Sequence, residues 1–248
     1  MNESKNDKLD GASLYKLSRT EVDPRARSKF LVRTYFNLTG AVLLFAAIEL
    51  ILFATVDAEE FIGLLREGGR ATGIVFIAIC LGGSLIAELA IGSKPSRPVQ
   101  YGLLVFYAIL YSVLFIPILA YASLVCGTSI IYQAIGITGS LFVLLSASVF
   151  ATRADFSFLR AGLVFFGLGA IVMIIASCIF GFELGAWFSA LMIGFACAYI
   201  LHDTSRLIHE CQPDEDVFAA VELFGSLMTL FFYVLDLLPD MPDMPDTE

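Results

Sequence analysis

Seven apolar runs recur along the chain, at roughly 31–55, 71–92, 99–123, 129–151, 158–181, 184–207 and 217–238. Each is close to the ~20 residues that a helix needs to cross the hydrocarbon of a bilayer. Lipid offers backbone groups no hydrogen-bond partner, so runs of this kind must be helices or strands of a closed barrel. They are too long for barrel strands and lack a period-two alternation. Composition agrees: 58% of residues are hydrophobic and 16% charged, where a soluble domain is nearer about a quarter charged. The reading is an all-α integral membrane protein of seven transmembrane helices, with the lipid bilayer as its first partner.

Three regions follow. Residues 1–30 form a flexible polar tail, 31–238 the seven-span membrane domain, and 239–248 an acidic tail with a short Pro-Asp repeat. The first 29 residues are polar and lack the h-region of a signal peptide. Connections are short: SKPSRP at 93–98, TRADFS at 152–157, where Asp155 or Ser157 is the expected N-cap of span five, and GFELG at 181–185, which forces spans five and six into a hairpin. Pro117 is expected to kink span three. With the N-terminus inside, 13 of the 15 Lys and Arg residues fall on the cytoplasmic side, leaving out only Arg66 and Arg70. The positive-inside rule then gives a cytoplasmic N-terminus and an external C-terminus. The net charge is -9 and no basic stripe follows residue 33, so nucleic acid is not an expected partner. The five cysteines show no CxxC spacing and read as small buried hydrophobes.

Function is sought where charge meets apolar sequence, because an ionisable group in a membrane span is costly. The richest stretch is Ala198 to Leu238. Asp203 ends an apolar run; it is either an interfacial acid at a helix end or a buried titrating carboxylate whose state a nearby cation would set. Lys94 and Arg97 lie on the same expected side and could supply that cation. Glu222 and Ser226 are spaced i, i+4 on one face of the last helix, and Thr229 extends it. That stripe either bonds neighbouring helices or lines a wet cavity. Glu49 and Glu88 are further acids within spans, and Asp236 reads as interfacial. His202, His209, Glu210 and Cys211 are metal-ligand types in no closed zinc pattern, so no metal or other cofactor is expected. Asn37-Leu38-Thr39 matches a glycosylation acceptor but lies inside span one. No serine elbow, HExxH or phosphate loop points to an enzyme. The last span has no lysine for a retinal Schiff base.

YILHDTSRLIH closing span six, LVRTYFNL opening span one, RPVQYGLLVFYAILYSVLFIPIL in span three, TRADFSFL before span five and LFGSLMTLFFYVLDLL in span seven occur in that order. Together they resemble the transmembrane Bax-inhibitor-motif family. The resemblance implies a seven-helix fold with the last helix central in a cage of six. It implies one of two activities. Some prokaryotic members are pH-sensitive calcium leak channels, in which an acid of span six shares a proton with an acid of the last span and a basic residue near span three acts as a latch. Asp203 matches the first acid and Lys94 falls at or near the latch, while Ser226 stands where the family has its second Asp. Glu222, one turn earlier, is the expected replacement. A serine there, with TRADFSFL and LIH, is similar to the bacterial YccA-like branch, which restrains an FtsH-type membrane protease. That implies the cell inner membrane as location and protease regulation as the leading role, with a calcium or other cation leak gated by Asp203, Lys94 and Glu222 as the alternative.

Overall fold

The computed structural model describes residues 24–63, 67–69, 71–72, 74–75, 78–79, 82–83, 96–212 and 214–240. Among the described residues six long helices stand out: α1 (Pro24–Thr55), α2 (Arg97–Cys126), α3 (Ser129–Thr152), α4 (Leu159–Phe180), α5 (Gly185–His209) and α6 (Asp216–Leu237), closed by a 3-10 turn at Leu238–Asp240. All six are long and apolar enough to cross a membrane. Most of the apolar run 71–92 lies outside the described residues, so the expected seventh span is not among them.

Local sequence explains most helix ends. Pro24 opens α1, a position where a missing N–H costs nothing. The helix therefore starts within the stretch expected to be a flexible tail, and Phe30, 1% exposed, anchors its first turns in the core. Pro98 sits in the first turn of α2, and that helix continues through Pro117 to Cys126. The expected N-cap of α4 is not observed: Phe158 holds the cap position with no side-chain bond. Asp155 instead closes a turn, accepting the Ser157 N–H at 2.9 Å and the Ser157 hydroxyl. The Ser157 hydroxyl bond holds the Asp155 carboxyl below its ordinary range. The α4–α5 hairpin is as tight as its sequence demands. Gly181 and Gly185 adopt φ of 74° and 67°, left-handed values that cost other residues energy.

Burial separates the helices. Fifteen of the 22 residues of α6 are buried, against two of 22, Leu163 and Ala170, on α4. A helix apolar all round is stable only when enclosed, by protein or by lipid. α6 is enclosed by protein, packing on α1, α2, α3 and α5, whereas α4 packs chiefly on α5. The α1–α2–α6 contact is aromatic. Phe115 stacks on Phe231 with centroids 5.1 Å apart, Phe45 meets Phe115 edge-on at 5.3 Å, and Tyr111 meets Phe224 edge-on at 5.5 Å. Such offset and edge-on pairs add to the area they bury.

Candidate functional site: a polar seam between α5 and α6

The last turns of α5 and the first turns of α6 gather six buried polar residues: His202, Asp203, Thr204, Ser205, Asp216 and Ser226. Asp203, 5% exposed, accepts a bond from the Ser226 hydroxyl at 2.5 Å on Oδ2 and faces His202 Nδ1 at 3.2 Å on Oδ1. The Ser226 hydroxyl also lies 3.2 Å from the Glu222 carbonyl of its own helix. Asp203 is thus buried and partnered from α6 rather than facing water at a helix end.

Glu222 takes a different partner. Arg206 Nη1 donates to both carboxylate oxygens at 2.8 Å, joining α5 to α6 one turn from the Asp203–Ser226 bond. The side chains remain about a third and a quarter exposed, so the pair borders water at this end of the bundle. Asp203 lies near enough to act electrostatically on both members. Two carboxylates and one guanidinium thus share the seam.

Arg97 does not serve Asp203. Its Nη1 donates to Asp216 Oδ1 at 2.5 Å, and Asn37 Nδ2 donates to Asp216 Oδ2 at 3.2 Å. The Asp216 side chain is 1% exposed and sits in the first turn of α6, where the helix dipole favours an anion. This cluster ties the start of α6 to α1 and α2. One expectation is corrected: Arg97 pairs with Asp216 rather than with Asp203. Asn37, inside the first span as expected, is a buried donor to Asp216. Lys94 and Glu88 lie outside the described residues. Arg27 finishes the end of α5, with Nη1 2.6 Å from the Cys211 carbonyl and 3.4 Å from that of Leu207. Ser205 receives the Phe156 N–H at 2.9 Å and donates to the Ala154 carbonyl at 3.2 Å, fastening the α3–α4 turn to α5.

α2, α4, α5 and α6 line a half-open groove of about 1220 Å³ that runs from Tyr107, Leu163 and Tyr199 to Asp236. Thr229, Tyr233 and Asp236 line it from α6, and Ser189, which donates to Asp236 at 2.5 Å, from α5. Glu222, Ser226, Thr229, Tyr233 and Asp236 follow one another at three or four residues, so one face of α6 runs from the ion pair through the Asp203 bond into the groove.

Residues 27–242 match the protein family described as inhibitor of apoptosis-promoting Bax1. The chain belongs to this family. Relatives extend across domains of life. A membrane protein of Vibrio cholerae is 28% identical over 216 residues, 85% of this chain and 89% of its own length. Protein LIFEGUARD 1 of Arabidopsis thaliana is 26% identical over 86% of this chain and 89% of its own. Bax inhibitor 1 of Schizosaccharomyces pombe is 32% identical over a shorter stretch, 44% of this chain and 42% of its own. Family membership and the six apolar helices make this a multi-pass membrane protein. Within the family pattern, sequence reasoning singled out Asp203, Ser226 and Glu222 but missed Asp216, Asn37 and the role of Arg206. Asp216 had a signal: an acid opening a helix directly after a polar turn. Arg206 had none beyond its place in the charged cluster.

Proposed function

We propose that the protein is a proton-responsive cation leak held closed at the α5–α6 seam. The observation that carries this reading is the continuity of the polar face of α6. Along α6 the groove is lined as far as Met228 and Thr229, within a turn of Ser226, where the Asp203 bond and the Glu222–Arg206 pair stand in line. A cation entering beside Asp236 meets carboxylates and hydroxyls along that face, then a barrier made of the same chemistry. Adding a proton to Glu222 removes the charge that grips Arg206, and adding one to Asp203 weakens its hold on Ser226. Either event loosens α5 from α6, and Arg206 takes the latch role that the resemblance gave to Lys94. Glu222 acts as the second carboxylate, through Arg206 rather than by sharing a proton with Asp203. The reading further takes the bundle as seven spans in a bacterial inner membrane, the last one central, with the N-terminus and the seam cytoplasmic. Calcium is the expected ion.

The test is flux of calcium into liposomes holding only the purified protein, at mildly acid and mildly alkaline pH. Wild type should conduct more at acid pH. Asp203→Asn and Glu222→Gln should each conduct at both and flatten the response. Absence of flux from every variant rejects a leak; a normal pH response in Glu222→Gln rejects its role alone.

A second reading, restraint of an FtsH-type protease, has one observation in its favour. Arg27 seats the start of α1 against the α5–α6 turn, so the first described turn after the polar N-terminal stretch lies beside the seam. On that reading the protein co-purifies with the protease, and deleting residues 1–25 changes its own turnover.

A further inference from the structure

The groove between α2, α4, α5 and α6 changes chemistry along its length. Where α4 turns into α5 it is lined by Glu183, Ser189 and Asp236. Ser189 occupies Oδ2 of Asp236, and no described residue bonds Oδ1. Glu183 has no ion-pair partner among the described residues, and no described Lys or Arg lines the groove. Two carboxylates thus stand at one mouth without a cation beside them. Away from that mouth the wall is apolar. Val164, Leu168 and Ile171 of α4 line it while remaining exposed, so this length is open at the side rather than sealed. On α4 the lining runs from Leu163 to Ser177, roughly 21 Å of helix. That is longer than the ~15 Å that one leaflet contributes to the hydrocarbon of a bilayer.

We propose that this groove seats one phosphatidylethanolamine, with its ammonium at the Glu183 and Asp236 carboxylates and an acyl chain laid along α4. The level of the acidic mouth suits a headgroup. Trp187, the single tryptophan, is 90% exposed between Glu183 and Ser189 in sequence, and tryptophan gathers at the membrane–water interface. Charge selects the headgroup. A primary ammonium is positive and carries three N–H donors, which suit carboxylate acceptors. The choline headgroup keeps the charge but has no N–H to donate. Phosphatidylglycerol brings a net negative charge to two carboxylates and is repelled. A soluble amine would satisfy the acids and leave the apolar length uncovered. Size agrees: about 1220 Å³ exceeds the roughly 300–1,000 Å³ of clefts that take drug-sized ligands. The site is read by lipid binding and stands whether or not the protein conducts ions.

Native mass spectrometry of the full chain in detergent tests this, with added phosphatidylethanolamine, phosphatidylcholine and phosphatidylglycerol of identical dioleoyl tails. Phosphatidylethanolamine should bind one per chain, roughly tenfold more tightly than phosphatidylcholine, the size of one hydrogen bond to a charged group. Phosphatidylglycerol should bind more weakly than either. Combining Glu183→Gln with Asp236→Asn should reduce phosphatidylethanolamine to the affinity of phosphatidylcholine. Both acids are exposed, and Glu183→Gln alone, with no ion pair to lose, should shift the preference in the same direction by less. Leu168→Trp, which fills the apolar length, should weaken phosphatidylethanolamine and phosphatidylcholine alike. Equal affinity for the three headgroups would mean ordinary boundary lipid and overturn the proposal. An unchanged preference in the acid variants, or unchanged affinities in Leu168→Trp, would overturn it as well. Dimers that form as lipid is stripped would identify a second copy as the occupant, with the same consequence.

Discussion

Ser226 gives Asp203 its one bond from α6, and Asp203 has almost no access to water. Removing the hydroxyl therefore strands half of a buried carboxylate. Ser226→Ala is expected to cost about 1–3 kcal/mol, the range for a buried acceptor left unsatisfied, read as a lower thermal midpoint in detergent. Cys211 offers a contrast on the α5–α6 turn. Burial pushes its thiol up to about 12 from an ordinary 9.0. The folded state thus favours the neutral thiol. The stability linked to it is intact below pH 9.0 and drains away as pH rises toward about 12. Cys211 should resist alkylation by iodoacetamide at neutral pH in the folded protein and react once the protein is unfolded in denaturant; modification at equal rates in both states would contradict its burial. Asp203 and Ser226 could be singled out in the sequence because polar residues on an apolar helix stand out alone. The Glu222–Arg206 pair could not, since it depends on how two helices cross, and sequence spacing within a helix carries no information about that.

Between elements, the Arg97–Asp216–Asn37 cluster is what holds the first turn of α6 to α1 and α2. Arg97 is partly exposed and can regain water when its partner is lost, whereas Asp216 cannot. The two single substitutions are accordingly unequal: Arg97→Gln should destabilise more than Asp216→Asn. A double-mutant cycle over the pair should return a coupling of about 1.5–3 kcal/mol, the range for a bond to a charged group. Additive losses would show that the two side chains do not communicate. Helix placement was legible because membrane-length apolar runs leave little choice. Helix ends were not: α1 gained seven residues over its apolar run because Phe30 packs inward among charged neighbours, and the α4 cap failed because Asp155 closed a local turn instead.

For the molecule as a whole, the contrast between α6 and α4 makes a graded prediction. Leu230, fully buried on α6, should cost about 2–5 kcal/mol when cut to alanine, as core truncations do. Val172, 64% exposed on α4, should change stability by no more than about 0.5 kcal/mol under the same substitution. Equal effects on unfolding in detergent would mean that the two helices are enclosed alike. Hydrophobicity does not rank the two helices by enclosure, because α4 is the more apolar stretch and yet the less enclosed by protein. Arg27 carries a practical corollary. Its grip on the Cys211 carbonyl pins the first turn of α1 to the rim of the α5–α6 turn. Any force drawn along the first turn of α1 is therefore borne first by one guanidinium.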